Sequence, residues 1–211
     1  MKELLIIGAR GFGREVFTFA KHTIGYGEVF TIKGFLDDDA AALEGFANYP
    51  KIIASVEEYE IQANDVFICA LGSVKWKKYY AEMIFGRGGV FINLINHTAI
   101  VRQNVKLGVG CIIGDNCIIS NDVVIDDFVT IHSFSILGHD VKVGKYVNIG
   151  AYCFFGGYSI VEEQATVNVR STVLDRLVIS KNTTIGAGSV VIRNVKEGIT
   201  VFGVPAKKIE F

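Results

Sequence analysis

From Ile95 to Val195 one bulky apolar position recurs every six residues: Ile95, Val101, Leu107, Ile113, Ile119, Ile125, Ile131, Leu137, Val143, Ile149, Phe155, Val161, Val167, Val173, Ile179, Ile185 and Val191. Four residues after each comes a smaller set, mostly Ala, Val, Cys, Ser or Thr, which runs from Ala99 to Val195 and has Leu177 as its one bulky member. A period of six is neither the 3.6 of a helix nor the alternation of a long strand, and it predicts a parallel β-helix of short strands and tight turns. Three repeats close a triangular coil of eighteen residues, so residue n stands above n+18 at about 4.8 Å. The columns agree: Cys117, Ser135, Cys153, Ser171 and Ser189 stack small on small, and Ile95, Ile113, Ile131, Ile149, Val167 and Ile185 stack bulky on bulky. No repeat buries its apolar face alone, so adjacent coils must supply the core. A sandwich of short strands would show irregular spacing instead.

Before residue 92 the pattern differs, which divides the chain into an α/β parallel-sheet domain over residues 1–92 and the β-helix over residues 93–211. Glu3–Ile7 reads as a buried strand that enters Gly8-Ala9-Arg10-Gly11-Phe12-Gly13, with a helix expected from Arg14 to about His22. A glycine turn between strand and helix can present N–H groups and the positive helix end to a phosphate. It can equally be a tight turn that packs the helix on the sheet. The order G-x-x-G-x-G is not the dinucleotide G-x-G-x-x-G, so hydride chemistry gains little. A second strand, Thr31–Leu36, ends in Asp37-Asp38-Asp39, and a third, Asp65–Ala70, is followed by Gly72 and a helix over about Val74–Phe85. Ligands of parallel sheets sit beyond the carboxyl ends of the strands, so Asp37 and Asp38 beside the turn point to a nucleotide. Lys75, Lys77 and Lys78 on that second helix could reach a diphosphate or form its wet face.

The net charge of −1 offers no basic face for nucleic acid. No stretch has the apolar length of a membrane span and no signal peptide is expected. Cys69, Cys111, Cys117 and Cys153 fall on buried positions and read as small core residues of a cytoplasmic protein, with neither disulfide nor metal site expected.

Within the repeat, the informative residues are those it does not require. His139 lies two past Leu137 at an outward corner, Asp140 follows it, and Gly157 comes eighteen residues later, preceded by Gly156. The acid can hold the imidazole in one tautomer, and a glycine beneath leaves room for substrate and a backbone N–H for a developing oxyanion. His132, on the neighbouring face, is a second candidate, whereas His22 and His97 lack a suitable acid or glycine column.

The repeat, the coil Ile185-Gly186-Ala187-Gly188-Ser189-Val190 and the exit Gly203-Val204-Pro205-Ala206-Lys207 together resemble the left-handed β-helix acyltransferases. The Gly8–Gly13 opening, Phe35-Leu36-Asp37-Asp38 and the His139-Asp140 pair narrow the resemblance to the PglD/NeuD-like sugar acetyltransferases of bacterial surface-glycan pathways. The resemblance implies a Rossmann-like first domain and a left-handed β-helix. It implies that His139 is the general base, that Asp140 orients it, and that the Gly157 N–H meets the carbonyl oxygen. It further implies that Gly8, Arg10, Gly11, Gly13, Asp37, Asp38 and Gly72 hold the nucleotide sugar. Gly157, Gly186, Ala187, Gly188, Gly203, Pro205 and Lys207 would line the channel for acetyl-CoA, with sites between the subunits of a homotrimer. Relatives often carry Asn at His132 and His at Asn148, so these two positions bear on the acceptor, as does Arg10 in place of a smaller residue.

Acyl transfer to an amine needs a base, an oxyanion donor and a groove for the donor's arm, and no metal. The expected activity is acetyl-CoA-dependent N-acetylation of a nucleotide-linked amino sugar. The alternatives are O-acetylation of a sugar of the sialic acid type and a non-catalytic nucleotide-sugar-binding protein.

Overall fold

A computed structural model describes residues 1–209; Glu210 and Phe211, the end of the expected second domain, lie outside them. Two compact units form, Met1–His97 and the chain from Thr98 onward.

The first unit contains β1 (Lys2–Ile7), α1 (Gly11–Ala20), β2 (Phe30–Leu36), β3 (Ile52–Ala54), β4 (Asp65–Cys69) and α2 (Val74–Gly86). Its sheet is parallel with the order β3-β2-β1-β4. Leu4 to Ile7 are at most 1% exposed, as a continuous apolar run on a central strand covered on both faces should be. Helix α1 starts at Gly11, ahead of the expected Arg14, because Gly13 brings it hard against the turn: a Cβ there would overlap the Gly8 carbonyl oxygen. Gly8 itself has φ +97°, which glycine adopts without strain. The short β3, Ile-Ile-Ala, is only three residues long, too few to show a period in the pattern.

At the amino end of these strands Asp65, 4% exposed, accepts hydrogen bonds from Lys33 Nζ (2.7 Å), Tyr59 Oη (2.7 Å) and the Gln62 N–H (2.7 Å). Glu3 lies 3.0 Å from the same Lys33 Nζ. Burial alone would raise the Asp65 carboxyl, but the bonds from Lys33, Gln62 and Tyr59 outweigh it and hold the group below the usual carboxylate range. A depressed carboxylate stabilises the fold above its unfolded value of about 3.9 and loses that contribution as pH falls through the folded value. Asp65→Asn is therefore expected to lower stability by roughly 1–3 kcal/mol at pH 7. Urea unfolding repeated near pH 3 should show the difference between variant and parent shrinking.

The second unit winds as a left-handed parallel β-helix. Its two-residue strands pair with those eighteen residues away: Ile113 with Ile131, Ile131 with Ile149, Ile149 with Val167 and Val167 with Ile185. The second residue of each strand points inward, and these five are 0% exposed. Two places depart from the strict count. Val101, in the first coil, remains 40% exposed, having a neighbour only at Ile119. The last coil is two residues short: Ile185 pairs with Val201 and Ile179 with Val195, so Val195 lies beside Ile179 and not in the small column eighteen after Leu177.

One residue per hexapeptide takes a left-handed backbone, running from Asn104 (φ 61°) through Phe128, Phe134, Asp140, Tyr146, Tyr152 and Tyr158 to Asn182 (φ 57°). Such conformations cost energy in bulky residues. At these corners the cost is offset by inter-coil hydrogen bonds such as Tyr158 N–H to the His139 carbonyl (3.0 Å) and by stacked rings, Phe128 on Tyr146 (5.2 Å) and Phe134 on Tyr152 (4.9 Å).

The small column hides hydroxyls that need partners. Ser135 Oγ donates to the Gly150 carbonyl (2.8 Å) and Ser171 Oγ to that of Gly186 (3.0 Å), but among the described residues the buried Ser159 Oγ finds none. An unpaired buried hydroxyl costs about 1–3 kcal/mol. Ser159→Ala is expected to raise the thermal midpoint, whereas Ser135→Ala, which removes a satisfied group, should lower it.

Candidate functional site

His139 follows the strand Ile136–Leu137, and Asp140 occupies the left-handed corner with φ 60°. That turn lets two successive side chains meet: His139 Nδ1 and Asp140 Oδ2 are 2.9 Å apart. With Nδ1–H donating to the carboxylate, Nε2 carries a free lone pair. The two side chains are 59% and 37% exposed, so the pair stands in contact with solvent.

Gly157 lies directly beneath. A Cβ on it would fall 2.7 Å from both His139 Cε1 and Nε2, so the imidazole occupies the room that any other residue's side chain would need. Gly138 is close-packed on the same column, its Cβ position 2.9 Å from the Gly157 nitrogen. Among the described residues the Gly157 N–H has no acceptor, which leaves it available to an oxyanion. Gly156 serves packing instead, since a Cβ there would overlap the Asp175 backbone.

Two side chains at this corner carried no signal in the sequence. The Tyr158 ring meets His139 edge-on at 5.1 Å, and the Arg176 guanidinium lies 4.6 Å over the Tyr158 ring. Both are left-handed corner residues in the column of Asp140, and a count of eighteen from that acid would have found them.

His132 and Asn148 sit on the preceding face of the prism. The His132 N–H donates to the Ile149 carbonyl (2.9 Å), and Asn148 pairs with Thr130 across the sheet. At the far end, the Gly186 Cβ position is covered by the Phe202 ring, so that glycine is required by packing. Gly188 takes a corner with φ +69° and Gly203 has φ +103°. Lys207 is exposed on the strand Lys207–Lys208, which runs antiparallel to Val201–Phe202, and Val204–Pro205 is a cis peptide.

In the first unit the glycine turn and the acidic run are bonded to each other. Asp37 Oδ2 accepts the Ala9 N–H (2.7 Å) and its Oδ1 the Asp39 N–H (2.9 Å), while Arg10 Nη2 pairs with Asp39 (2.8 Å). Asp38 accepts the Val56 N–H (3.1 Å) and the Tyr80 hydroxyl. Cβ atoms on Gly11 and Gly72 would meet nothing within 4 Å, so neither glycine is demanded by packing. Of the three lysines on α2, Lys77 is 1% exposed and belongs to neither a wet face nor an open diphosphate site. No helix among the described residues is long and apolar enough to cross a membrane, and no group of metal-ligating side chains occurs among them.

Residues 3–84 match the PglD N-terminal domain family, and residues 122–157 match the bacterial transferase hexapeptide (six repeats) family. The two matches follow the division of the chain into a parallel-sheet unit and a repeat unit. No curated protein matches it in sequence. Among solved structures, the chain is similar to the acetyltransferase domain of PglB from Neisseria gonorrhoeae FA1090, at 23% identity and TM-score 0.89, over 99% of this chain and 100% of that one. It is similar to PerB from Caulobacter crescentus in complex with CoA and GDP-perosamine, at 24% identity and TM-score 0.89, over 100% and 98%. WeeI from Acinetobacter baumannii AYE follows at 22% identity and TM-score 0.83, over 99% and 100%. At these identities the likeness establishes a common fold along the whole chain.

Proposed function

We propose that the protein is an acetyl-CoA-dependent N-acetyltransferase whose acceptor is a nucleotide-linked amino sugar of bacterial surface-glycan synthesis in the cytoplasm. The observation that carries this reading is the His139 imidazole held by Asp140 directly over Gly157. In the proposed step the amine lone pair attacks the thioester carbonyl carbon while Nε2 of His139 takes the amine proton. Negative charge gathers on the carbonyl oxygen, where the Gly157 N–H donates to it, and Asp140 stabilises the imidazolium through Nδ1–H. The C–S bond then breaks, and the imidazolium returns its proton to the leaving thiolate.

The ligands of the similar structures support this choice of reactants: PerB is in complex with CoA and GDP-perosamine, and the PglB domain with acetyl coenzyme A. Gly8, Arg10, Gly11, Gly13, Asp37, Asp38 and Gly72 would hold the nucleotide. His132 and Asn148 would bear on the acceptor, and Gly186 to Gly188 with Gly203, Pro205 and Lys207 on the donor's arm. Assembly as a homotrimer, with the donor between adjacent β-helices, is supported by an outward ladder of apolar residues on one face. Ile100 and Phe154 in it are 43% and 42% exposed, Ile118 and Ile136 continue it half-buried, and Val190 follows beyond Thr172, its one polar rung.

The test is thiol release from acetyl-CoA by the full chain in the presence of UDP-, GDP- or dTDP-linked sugars offered in amine and hydroxyl forms. Turnover that requires the amine is the expected result. Turnover with the hydroxyl form alone would make the protein an O-acetyltransferase, and failure to bind acetyl-CoA in calorimetry would remove the catalytic reading.

A further inference from the structure

We infer that Trp76, backed by Tyr80, is the platform on which the base of the nucleotide-linked substrate stacks, an inference that rests on the nucleotide reading of the first unit. The carboxylates expected to read that ligand are engaged within the protein. Asp37 holds the Ala9 and Asp39 N–H groups, and Asp38 holds Val56 and Tyr80. Recognition of the base therefore calls on another surface at the carboxyl edge of the sheet.

The start of α2 stands at that edge. The Leu71 side chain fills the space beside Gly8, 2.7 Å from the position of a Cβ, so the loop into α2 lies against the glycine turn. Nearly two turns along the helix the Tyr80 hydroxyl reaches Asp38. Between these two anchors Trp76 is 49% exposed, with the Tyr80 ring stacked on it at 6.1 Å and 29° and the Tyr79 ring edge-on at 5.7 Å. Both tyrosines are pinned by carboxylates, Tyr80 by Asp38 and Tyr79 by Glu57, so the aromatic cluster has little freedom to collapse over the indole. Gly72, just before the helix, leaves open space beside it.

A large indole left half in water on a fixed support offers a flat apolar face, and every nucleobase has a π-face to lay on it. Lys75 Nζ lies over the indole, 5.6 Å from its centroid; a base that stacks there displaces this exposed ammonium toward the diphosphate. The ligand class is a nucleoside diphosphate, recognised through stacking of its base more than by hydrogen bonds to its edge.

Trp76 is the only tryptophan in the chain, so its fluorescence reports on this position alone. Titrating the protein with GDP, UDP and dTDP is expected to give a saturable change in that signal for at least one of them. Trp76→Ala is expected to weaken the same diphosphate about tenfold or more in calorimetry, and Trp76→Phe to retain most of the affinity. A diphosphate that binds the parent and Trp76→Ala equally, without changing the fluorescence, would overturn the platform and leave the nucleotide reading standing. If none of the three diphosphates binds the parent, both readings fall together.

Discussion

His139→Ala is expected to lower acetyl transfer to the amine by about a hundredfold or more while leaving the fold intact, because a positioned general base contributes roughly 10²–10⁴ in rate. The fold should tolerate the change, since the side chain is 59% exposed on an outward corner and none of the inward columns includes it. Backbone bonding there survives as well: the His139 carbonyl still accepts from the Tyr158 N–H. The measurement is kcat/KM for acetyl-CoA and acceptor beside a thermal melt. An unchanged melt with a collapsed kcat assigns the proton transfer to the imidazole, and unchanged turnover would take His139 out of the mechanism. Asp140→Asn should fall between parent and His139→Ala, because the amide still meets Nδ1–H but no longer carries the charge that stabilises an imidazolium.

How much of this could be read from the chain follows from what a periodic core does and does not constrain. The inward columns were legible because every coil must bury the same two positions, so a count of eighteen alone placed Gly157 beneath His139, and the structure puts its missing Cβ 2.7 Å from the ring. The count failed where burial stops being periodic. Val101 has a strand on one side only, and the final coil drops two residues as it turns into the Val201–Phe202 strand, which moves Val195 beside Ile179. The corner residues were illegible for a different reason. Phe134, Tyr152 and Tyr158 sit at positive φ, where propensity favours Gly, Asn or Asp, and only stacking along the prism makes them acceptable. In the first unit the glycine turn and the acids were correctly set at one end of the sheet, yet periodicity could not show that Asp37 closes onto Ala9 or that Tyr80 claims Asp38. Such contacts depend on side chains dozens of residues apart, and a lone exposed Trp76 on an amphipathic helix has no pattern to betray it.

The second large effect is expected at a residue with no side chain. Gly157→Ala should reduce kcat by about a hundredfold with little change in stability, and the reason is steric. The new methyl would stand 2.7 Å from Cε1 and Nε2 of His139, closer than real Cβ atoms approach, so one of the two must give way. The rigid partner is the coil, whose corners are tied by bonds such as Arg176 N–H to the Gly157 carbonyl (2.9 Å), and the soft partner is the exposed imidazole. The ring therefore swings out, loosening its bond to Asp140 and lifting Nε2 from the acceptor, and a displacement of about 1 Å at a reacting group can cost 10²-fold. Gly156→Ala supplies the contrast. Its methyl would overlap the Asp175 backbone, which cannot move without opening the next coil, so that variant should lose stability first. If the imidazole is the group that Gly157→Ala displaces, adding the substitution to His139→Ala should cost almost nothing more, because both act on the same proton transfer. A further large loss in the double variant would mean that the methyl keeps the thioester away from the Gly157 N–H, which alanine retains, with the histidine a bystander to the change.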